Sequence, residues 1–124
     1  MAGIQGMRWG IENHKKLFKV FVSLPMRDLE VGEIKARQKE IFELVTKSGA
    51  YENPILLDSI HEHDIPEEDN ELWYLGESIK TLGRANLVIF SKDWRSARGC
   101  RVEHLICELY KIPHVYEASE EFYR

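Results

Sequence analysis

The chain has no long apolar stretch and no excess of basic residues. Its 124 residues include 17 lysines and arginines and 21 acidic residues, for a formal net charge of −4. No segment approaches the ~20 apolar residues of a membrane span, and the N-terminal region lacks the apolar core of a secretion signal. A site for polymeric nucleic acid needs a basic cluster and is not expected. A free nucleotide needs only a local cationic loop and stays compatible with this charge.

Cysteine is scarce, and the two cysteines present are Cys100 and Cys107. Both fall on one predicted helix, whose geometry keeps their Cα atoms too far apart for a disulfide. We therefore expect reduced thiols and a cytoplasmic protein. Cys100 has two interpretations: a small apolar side chain, or a thiol nucleophile whose pKa is lowered by a helix N-terminus and by Arg98.

Several common catalytic motifs are missing. The chain has no GxGxxG, no GxxxxGK and no GxSxG, which excludes a dinucleotide fingerprint, a Walker loop and a serine hydrolase elbow. His61, His63 and Asp64 supply imidazole and carboxylate groups, but no further ligand at a zinc-like spacing accompanies them. We predict neither a metal nor a cofactor.

Strand-like and helix-like segments alternate along the chain. Predicted strands are 17–23, 54–58, 87–90 and 114–116, and predicted helices are about 30–48, 66–83 and the segment after Gly99. This alternation predicts an α/β fold: a single-domain, doubly wound, Rossmann/flavodoxin-like parallel sheet of order 2-1-3-4 with helices on both faces. The domain covers 17–124, and residues 1–16 are a tail, an edge cover or a partner-binding arm.

In a sheet of this order, strands 1 and 3 are neighbours whose connections leave toward opposite faces. Ligands bind such sheets at the carboxyl ends of these strands. The two loops that open there are 23–28 and 92–99, and both are chemically distinctive, with Arg27 in the first and Trp94 and Arg98 in the second.

The stretch 86–116 combines a strand, a polar loop, a helix and a strand. In the helix, an apolar stripe of Val102, Leu105, Ile106 and Leu109 is predicted to face the core, with Glu103, Cys107 and Tyr110 on its flank. Glu103 is then expected in about the first turn, ionised at neutral pH because the helix dipole favours a carboxylate there. An acidic residue at this position is also common for purely structural reasons.

The string DWRSARGCRVEH matches the pattern GWxxARGCxxEH, with Asp93 in place of the first glycine. On this string the chain resembles a short branch of the nucleoside 2-deoxyribosyltransferase-like superfamily, and a looser similarity extends over 19–116. In characterised members, a glutamate four residues after a loop glycine opens the helix and is the nucleophile. Glu103 occupies that place.

The resemblance implies cleavage of an N-glycosidic bond, by deoxyribosyl transfer or hydrolysis, with Glu103 as the catalytic residue. It also implies a small-molecule nucleoside or nucleotide as the partner and a homo-oligomeric protein. An N–H-rich turn and guanidinium groups suit sugar hydroxyls or a 5′-phosphate. Trp94 either stacks on a base or walls the pocket, or it anchors the loop in the core. The substrate-binding candidates are Ser23, Pro25, Met26, Arg27, Ser78, Trp94, Arg98 and Gly99.

Two further positions depart from the superfamily pattern. Ser78 stands seven residues before Ala85, where members have an aspartate, and Asn86 stands where an aspartate is also usual. Serine cannot position a sugar hydroxyl or carry a proton as a carboxylate does. These departures leave three outcomes open: a slow activity, an altered substrate or no activity, with Glu103 retained for binding ribose hydroxyls. The alternative to an enzyme is a non-catalytic nucleotide-binding or sensing module that uses the same crevice.

Overall fold

A computed structural model describes residues 16–60 and 71–118. The predicted tail 1–16, apart from Lys16, and the predicted helix start at 66–70 lie outside the described residues. The strands are β1 (Phe18–Ser23), β2 (Pro54–Leu56), β3 (Leu87–Phe90) and β4 (His114–Tyr116), and the helices are α1 (Val31–Thr46), α2 (Glu71–Leu82) and α3 (Arg98–Leu109). A short 3₁₀ turn, Trp94–Ser96, precedes α3.

The four strands form one parallel sheet of order β2-β1-β3-β4, which confirms the predicted topology. Ser23, the last residue of β1, pairs with Phe90, the last residue of β3. The carboxyl ends of the two central strands therefore meet at one edge of the sheet. Parallel strands buried on both faces carry continuous apolar runs, and all four residues of β3 are buried.

Alternate side chains of the central strands enter two separate cores. Val20, Val22 and Ile89 pack with Ile41 of α1, whereas Phe21 and Phe90 pack with Leu82 of α2 and the two cysteines of α3. Since neighbouring strand residues point to opposite faces, α1 covers one face and α2 and α3 cover the other. This arrangement confirms the prediction of helices on both faces.

Element boundaries differ from the prediction by a few residues. The second strand ends at Leu56 rather than Asp58. Helix α1 spans Val31–Thr46, and Gly49 follows it with φ +80°, in the left-handed region that favours glycine, as predicted. The buried face of α1 includes Gln38, whose Nε2 donates to Ser59 Oγ at 2.8 Å.

The prediction of the α3 core face is wrong for three of its four residues, and only Ile106 packs against the core. Val102, Leu105 and Leu109 are 38, 52 and 67% exposed, whereas Cys100, Glu103 and Cys107 are buried. The loop before the helix sets its rotation, because His104 stacks on Trp94 with ring centroids 4.0 Å apart. The two small cysteine side chains then take part in the core between α3 and the sheet. The periodicity of the sequence identified the apolar stripe, but it could not show whether that stripe faces the core or the solvent.

Within residues 16–60 and 71–118, no helix combines the length and apolar character needed to cross a bilayer.

Candidate functional site

The centre of the candidate site is a hydrogen bond between the end of β1 and the body of α3. Ser23 shares its face of β1 with Phe21, so its side chain points toward α3. Its hydroxyl donates to Glu103 Oε1 at 2.6 Å, and both side chains are buried. The fold thus joins two candidate residues that lie 80 positions apart in the chain.

Glu103 differs from its predicted state in two respects. The helix begins at Arg98, so Glu103 is its sixth residue and lies beyond the first turn, where backbone N–H groups are unpaired. Burial raises the pKa of this carboxyl to about 7, and the Ser23 hydrogen bond opposes that shift only in part. The prediction of a fully ionised carboxylate at neutral pH is therefore wrong, because desolvation outweighs the helix dipole.

The two cysteines line the same buried region of α3. Burial raises the pKa of the Cys100 thiol to about 12; a hydrogen bond with Ser23 lowers it, and the charge of Glu103 raises it further. Burial likewise raises the pKa of Cys107 to about 12. Both thiols are free. The interpretation of Cys100 as a low-pKa nucleophile is wrong, and the cysteine serves as a small buried side chain.

Arg27 and Arg98 come together at the carboxyl edge of the sheet. Each donates from Nη2 to one carboxylate oxygen of Glu71, the first residue of α2. Glu71 was not among the predicted site residues. An acid at a helix start has an ordinary structural role, and only the fold brings it to both arginines.

The remaining loop candidates have different environments. Met26 packs against the core on the α1 side, and its carbonyl accepts a hydrogen bond from Leu29 N at 3.2 Å. Pro25 is half-buried beside it. Gly99 is the second residue of α3, and a Cβ there would meet Leu75 Cδ1 at 3.8 Å, an ordinary contact. Packing among the described residues therefore does not require glycine at this position.

The first amide groups of α3 have no partner within the helix. Arg101 N makes the first helical hydrogen bond, to Ala97 O at 3.1 Å. Ala97 is the N-cap and supplies no side-chain cap. The N–H groups of Arg98, Gly99 and Cys100 thus precede the helical ladder, as at any helix N-terminus.

Trp94 is an anchor of the loop. It is only 6% exposed, packs on Phe90 and stacks on His104. The Arg95 guanidinium lies over its ring, 4.8 Å from the centroid. Its Nε1 is buried and has no hydrogen-bond partner among the described residues. Of the two interpretations of Trp94, this packing favours the core anchor.

His104 links the loop to β4. Its Nε2 lies 2.7 Å from the Tyr116 hydroxyl, and its Nδ1 lies 3.4 Å from Glu108 Oε1. Burial lowers the pKa of His104, although the Glu108 carboxylate acts in the opposite direction. The histidine therefore favours the neutral form and holds the rotation of α3.

Ser78 and Asn86, the two departures from the superfamily pattern, occupy different places. Ser78 is half-buried in the third turn of α2, about 10 Å along the helix axis from Glu71. Asn86 precedes β3 at the amino end of the sheet, where its side-chain oxygen accepts a hydrogen bond from Lys19 N at 2.8 Å. Lys19 lies four residues before Ser23, about 13 Å along an extended strand. Asn86 is thus at the far edge from Glu103.

The structure gives no metal site within 16–60 and 71–118: no group of three histidine, cysteine, aspartate or glutamate side chains there is arranged to hold an ion. His61, His63 and Asp64 lie outside the described residues. A cavity of about 290 Å³ lies against α1, lined by Lys35, Gln38, Lys39, Leu56, Leu57 and Asp58. It is separate from the Ser23–Glu103 pair, because α1 covers the opposite face of the sheet from α3.

Comparison of the chain with models of protein families, with curated proteins and with solved structures yields no match. The fold defines the class of protein as a doubly wound α/β domain with a buried carboxyl group near the carboxyl ends of β1 and β3. The resemblance to the deoxyribosyltransferase-like superfamily rests on the residues of the loop and helix quoted above.

Proposed function

We propose that this protein acts on the N-glycosidic bond of nucleosides or nucleotides, with Glu103 as the nucleophile. The observation that supports the proposal is the buried contact between Glu103 and Ser23 at the carboxyl ends of β1 and β3. A carboxyl group with a pKa near neutrality, close to the sheet edge where folds of this class bind ligands, is a candidate for catalysis on physical grounds.

In the proposed reaction, ionised Glu103 attacks C1′ of the sugar as the bond from C1′ to the base nitrogen breaks. The electron pair of that bond leaves with the base, which takes up a proton from the solvent, and the nucleophile of the second step returns a proton to the solvent. The product of this step is a glycosyl–enzyme ester. Attack on C1′ by water or by a second base then releases Glu103 as a carboxylate, which gives hydrolysis or transfer respectively.

Other residues serve the substrate in this proposal. The Ser23 hydroxyl orients Glu103 Oε1 and holds the carboxylate in one rotamer. Arg27, Arg98 and the amide of Gly99 hold sugar hydroxyls or a 5′-phosphate. Trp94 anchors the loop 92–99 to α3 through its contact with His104.

The test is the variant Glu103→Gln. The amide is nearly isosteric and its oxygen can accept the Ser23 hydrogen bond, so the fold should persist even though the position is buried. Release of free base from deoxynucleosides or their monophosphates should be abolished, because a neutral amide is a poor nucleophile. In the wild type, base release should increase as pH rises through about 7, since only the ionised carboxyl attacks.

A 2′-fluoro-sugar substrate provides the matched measurement, because its substituent slows breakdown of the glycosyl–enzyme. The glycosyl mass should appear on the wild type and be absent from Glu103→Gln. Base release that persists in Glu103→Gln would assign the chemistry to another residue. If the wild type releases no base from a panel of nucleosides and nucleotides, the enzyme proposal fails.

A second candidate function is a non-catalytic nucleotide-binding or sensing module. The observation that favours it is the presence of Ser78 and Asn86 where the superfamily pattern has aspartates, because neither side chain can carry a proton as a carboxylate does. In this function Glu103 binds ribose hydroxyls. The glycosyl mass measurement separates the two, since a binding module forms no ester.

Self-association in the cytoplasm is part of the proposal. The exposed apolar side chains Val102, Leu105 and Leu109 of α3 support a homo-oligomer, because such a stripe gains stability when a second copy covers it. The two free, buried cysteines suit a reducing compartment.

A further inference from the structure

Two arginines from separate elements share one carboxylate at the carboxyl edge of the sheet. Arg27 lies in the loop after β1, and Arg98 is the first residue of α3. Each guanidinium donates to a different oxygen of Glu71. The two cationic groups are therefore directed at a common point, which a single anion occupies.

Folding stability gains little from this arrangement. The three side chains are 65 to 73% exposed, and ion pairs at such exposure are screened by water and salt and contribute little to stability. The dipole of α2 favours a negative charge at Glu71, but that interaction needs no arginine. Two guanidinium groups around one anion are an arrangement with which proteins bind phosphate as well as carboxylate.

The start of α3 adds to the positive character of this point. Arg98 is followed by Gly99 and Cys100, and the amides of all three precede the first helical hydrogen bond, from Arg101 N to Ala97 O. Because the N-cap is an alanine, no side chain of that residue neutralises them. Arg98 thus stands where the helix dipole also favours an anion.

We propose that Arg27 and Arg98 form a phosphate clamp that Glu71 holds closed, and that a phosphomonoester dianion displaces the Glu71 carboxylate. A phosphate dianion carries twice the charge of a carboxylate and has more acceptor oxygens, so it replaces Glu71 with a gain in charge-assisted hydrogen bonds. The inference deepens the proposed function and rests on it for the rest of the ligand. It selects nucleoside monophosphates over nucleosides, because a nucleoside brings no anion to displace Glu71.

The experiment titrates the 124-residue chain with inorganic phosphate by calorimetry at constant ionic strength, with chloride as the balancing anion. Glu71→Gln removes the internal competitor and should tighten phosphate binding about three- to tenfold. The matched control is Glu40→Gln, which removes the same charge from an exposed ion pair with Arg37 on α1. The control should change the affinity by less than about twofold, because it lies outside the clamp.

Substitution of the arginines tests the other half of the clamp. Arg27→Ala and Arg98→Ala should each weaken phosphate binding about tenfold or more. Arg84→Ala removes an exposed arginine at the end of α2, beside the amino end of β3, and should leave the affinity within about twofold. In the Arg98→Ala background, Glu71→Gln should lose most of its effect, because the competitor acts through the clamp.

Three results would overturn the inference: no phosphate binding by the wild type or Glu71→Gln, equal tightening in Glu40→Gln, or a Glu71→Gln affinity equal to or below that of the wild type. Inorganic phosphate contains no glycosidic bond, so this titration is independent of Glu103. If the protein releases base from nucleosides but gives any of those three results, only the clamp inference fails. If phosphate binding behaves as expected but no base is released, only the proposed glycosidic chemistry fails.

Discussion

Glu103 is a buried carboxyl group whose protonation state changes near neutral pH. Burial raises its pKa to about 7, and the hydrogen bond from Ser23 stabilises the ionised form without restoring an ordinary value. The ionisation of Glu103 therefore affects both the proposed chemistry of the site and the stability of the fold. At acidic pH the group is a neutral hydrogen-bonding side chain, and above pH 7 it is a desolvated anion.

This linkage predicts the pH dependence of stability. The folded state holds a proton on Glu103 up to about pH 7, while the unfolded carboxyl loses it near its ordinary pKa of 4.5. The stabilising contribution of this group is thus complete below about pH 4.5 and is lost as pH rises through about 7. The unfolding free energy of the wild type relative to Glu103→Gln should fall by up to about 3 kcal/mol over that window.

Urea denaturation of both proteins at about pH 5 and about pH 8 measures this difference. Glu103→Gln is the internal control, because every other titrating group is common to the two proteins. A difference that stays constant or grows with pH would show that the carboxyl does not have a raised pKa.

In helix α3, the face toward the sheet and the exposed face carry side chains of the opposite character to the one predicted. The face toward the sheet carries two cysteines and a glutamate, and the longer apolar side chains Leu105 and Leu109 lie on the exposed side. Tyr110, just after the helix, is 76% exposed. A helix with apolar side chains on its outer face is suited to contact with another protein surface.

The proposed homo-oligomer predicts that a charge on this face disrupts assembly. Leu105→Glu and Leu109→Glu should each raise the dissociation constant of the oligomer at least about tenfold, because a carboxylate cannot be buried there without a partner. Size-exclusion chromatography with light scattering over a concentration series measures the change. The matched control is Leu44→Glu on α1, where the leucine is 43% exposed.

Unchanged assembly in both α3 variants, or equal dissociation in Leu44→Glu, would show that α3 does not form the interface. A wild type that stays monomeric at all concentrations would contradict the oligomer itself.

At the scale of the whole molecule, one carboxylate joins three elements at the carboxyl edge of the sheet. Glu117, directly after β4, accepts hydrogen bonds from Arg37 of α1 at 2.7 Å and from the backbone N–H of Lys92 at 2.8 Å. Its own N–H donates to the carbonyl of Phe90, the last residue of β3, at 2.8 Å. At the sheet edge where Ser23 lies, Glu117 thus links α1, which covers one face of the sheet, to the end of β4.

Glu117→Gln should destabilise the fold by about 1–3 kcal/mol, because it leaves Arg37 without its less exposed partner. The side chains of Arg37 and Glu117 are 25 and 10% exposed, so the pair is only partly screened by water. Glu40→Gln removes the other partner of Arg37, which is 70% exposed, and should cost at most about 0.5 kcal/mol. Urea denaturation of the two variants measures both values, and equal losses would show that Glu117 does not join these elements.

The order of strands and helices was determined by the sequence itself. Continuous apolar runs such as Leu87–Phe90, alternating with helical periods, predict a parallel sheet, and right-handed crossovers then leave few strand orders. The strand order in turn predicted that Ser23, at the end of β1, lies beside the end of β3. These features were predictable because they depend on local pattern and chain connectivity alone.

Tertiary structure decided the rotation of α3, the state of Glu103 and the partner of the two arginines. The period of a helix is encoded locally, but its rotation depends on neighbours such as Trp94, on which His104 stacks. A pKa depends on what surrounds the group, so the spacing of Glu103 could not report its burial. Glu71 contacts Arg27 and Arg98 only when three separate segments fold together, and no local sequence pattern predicts such a contact.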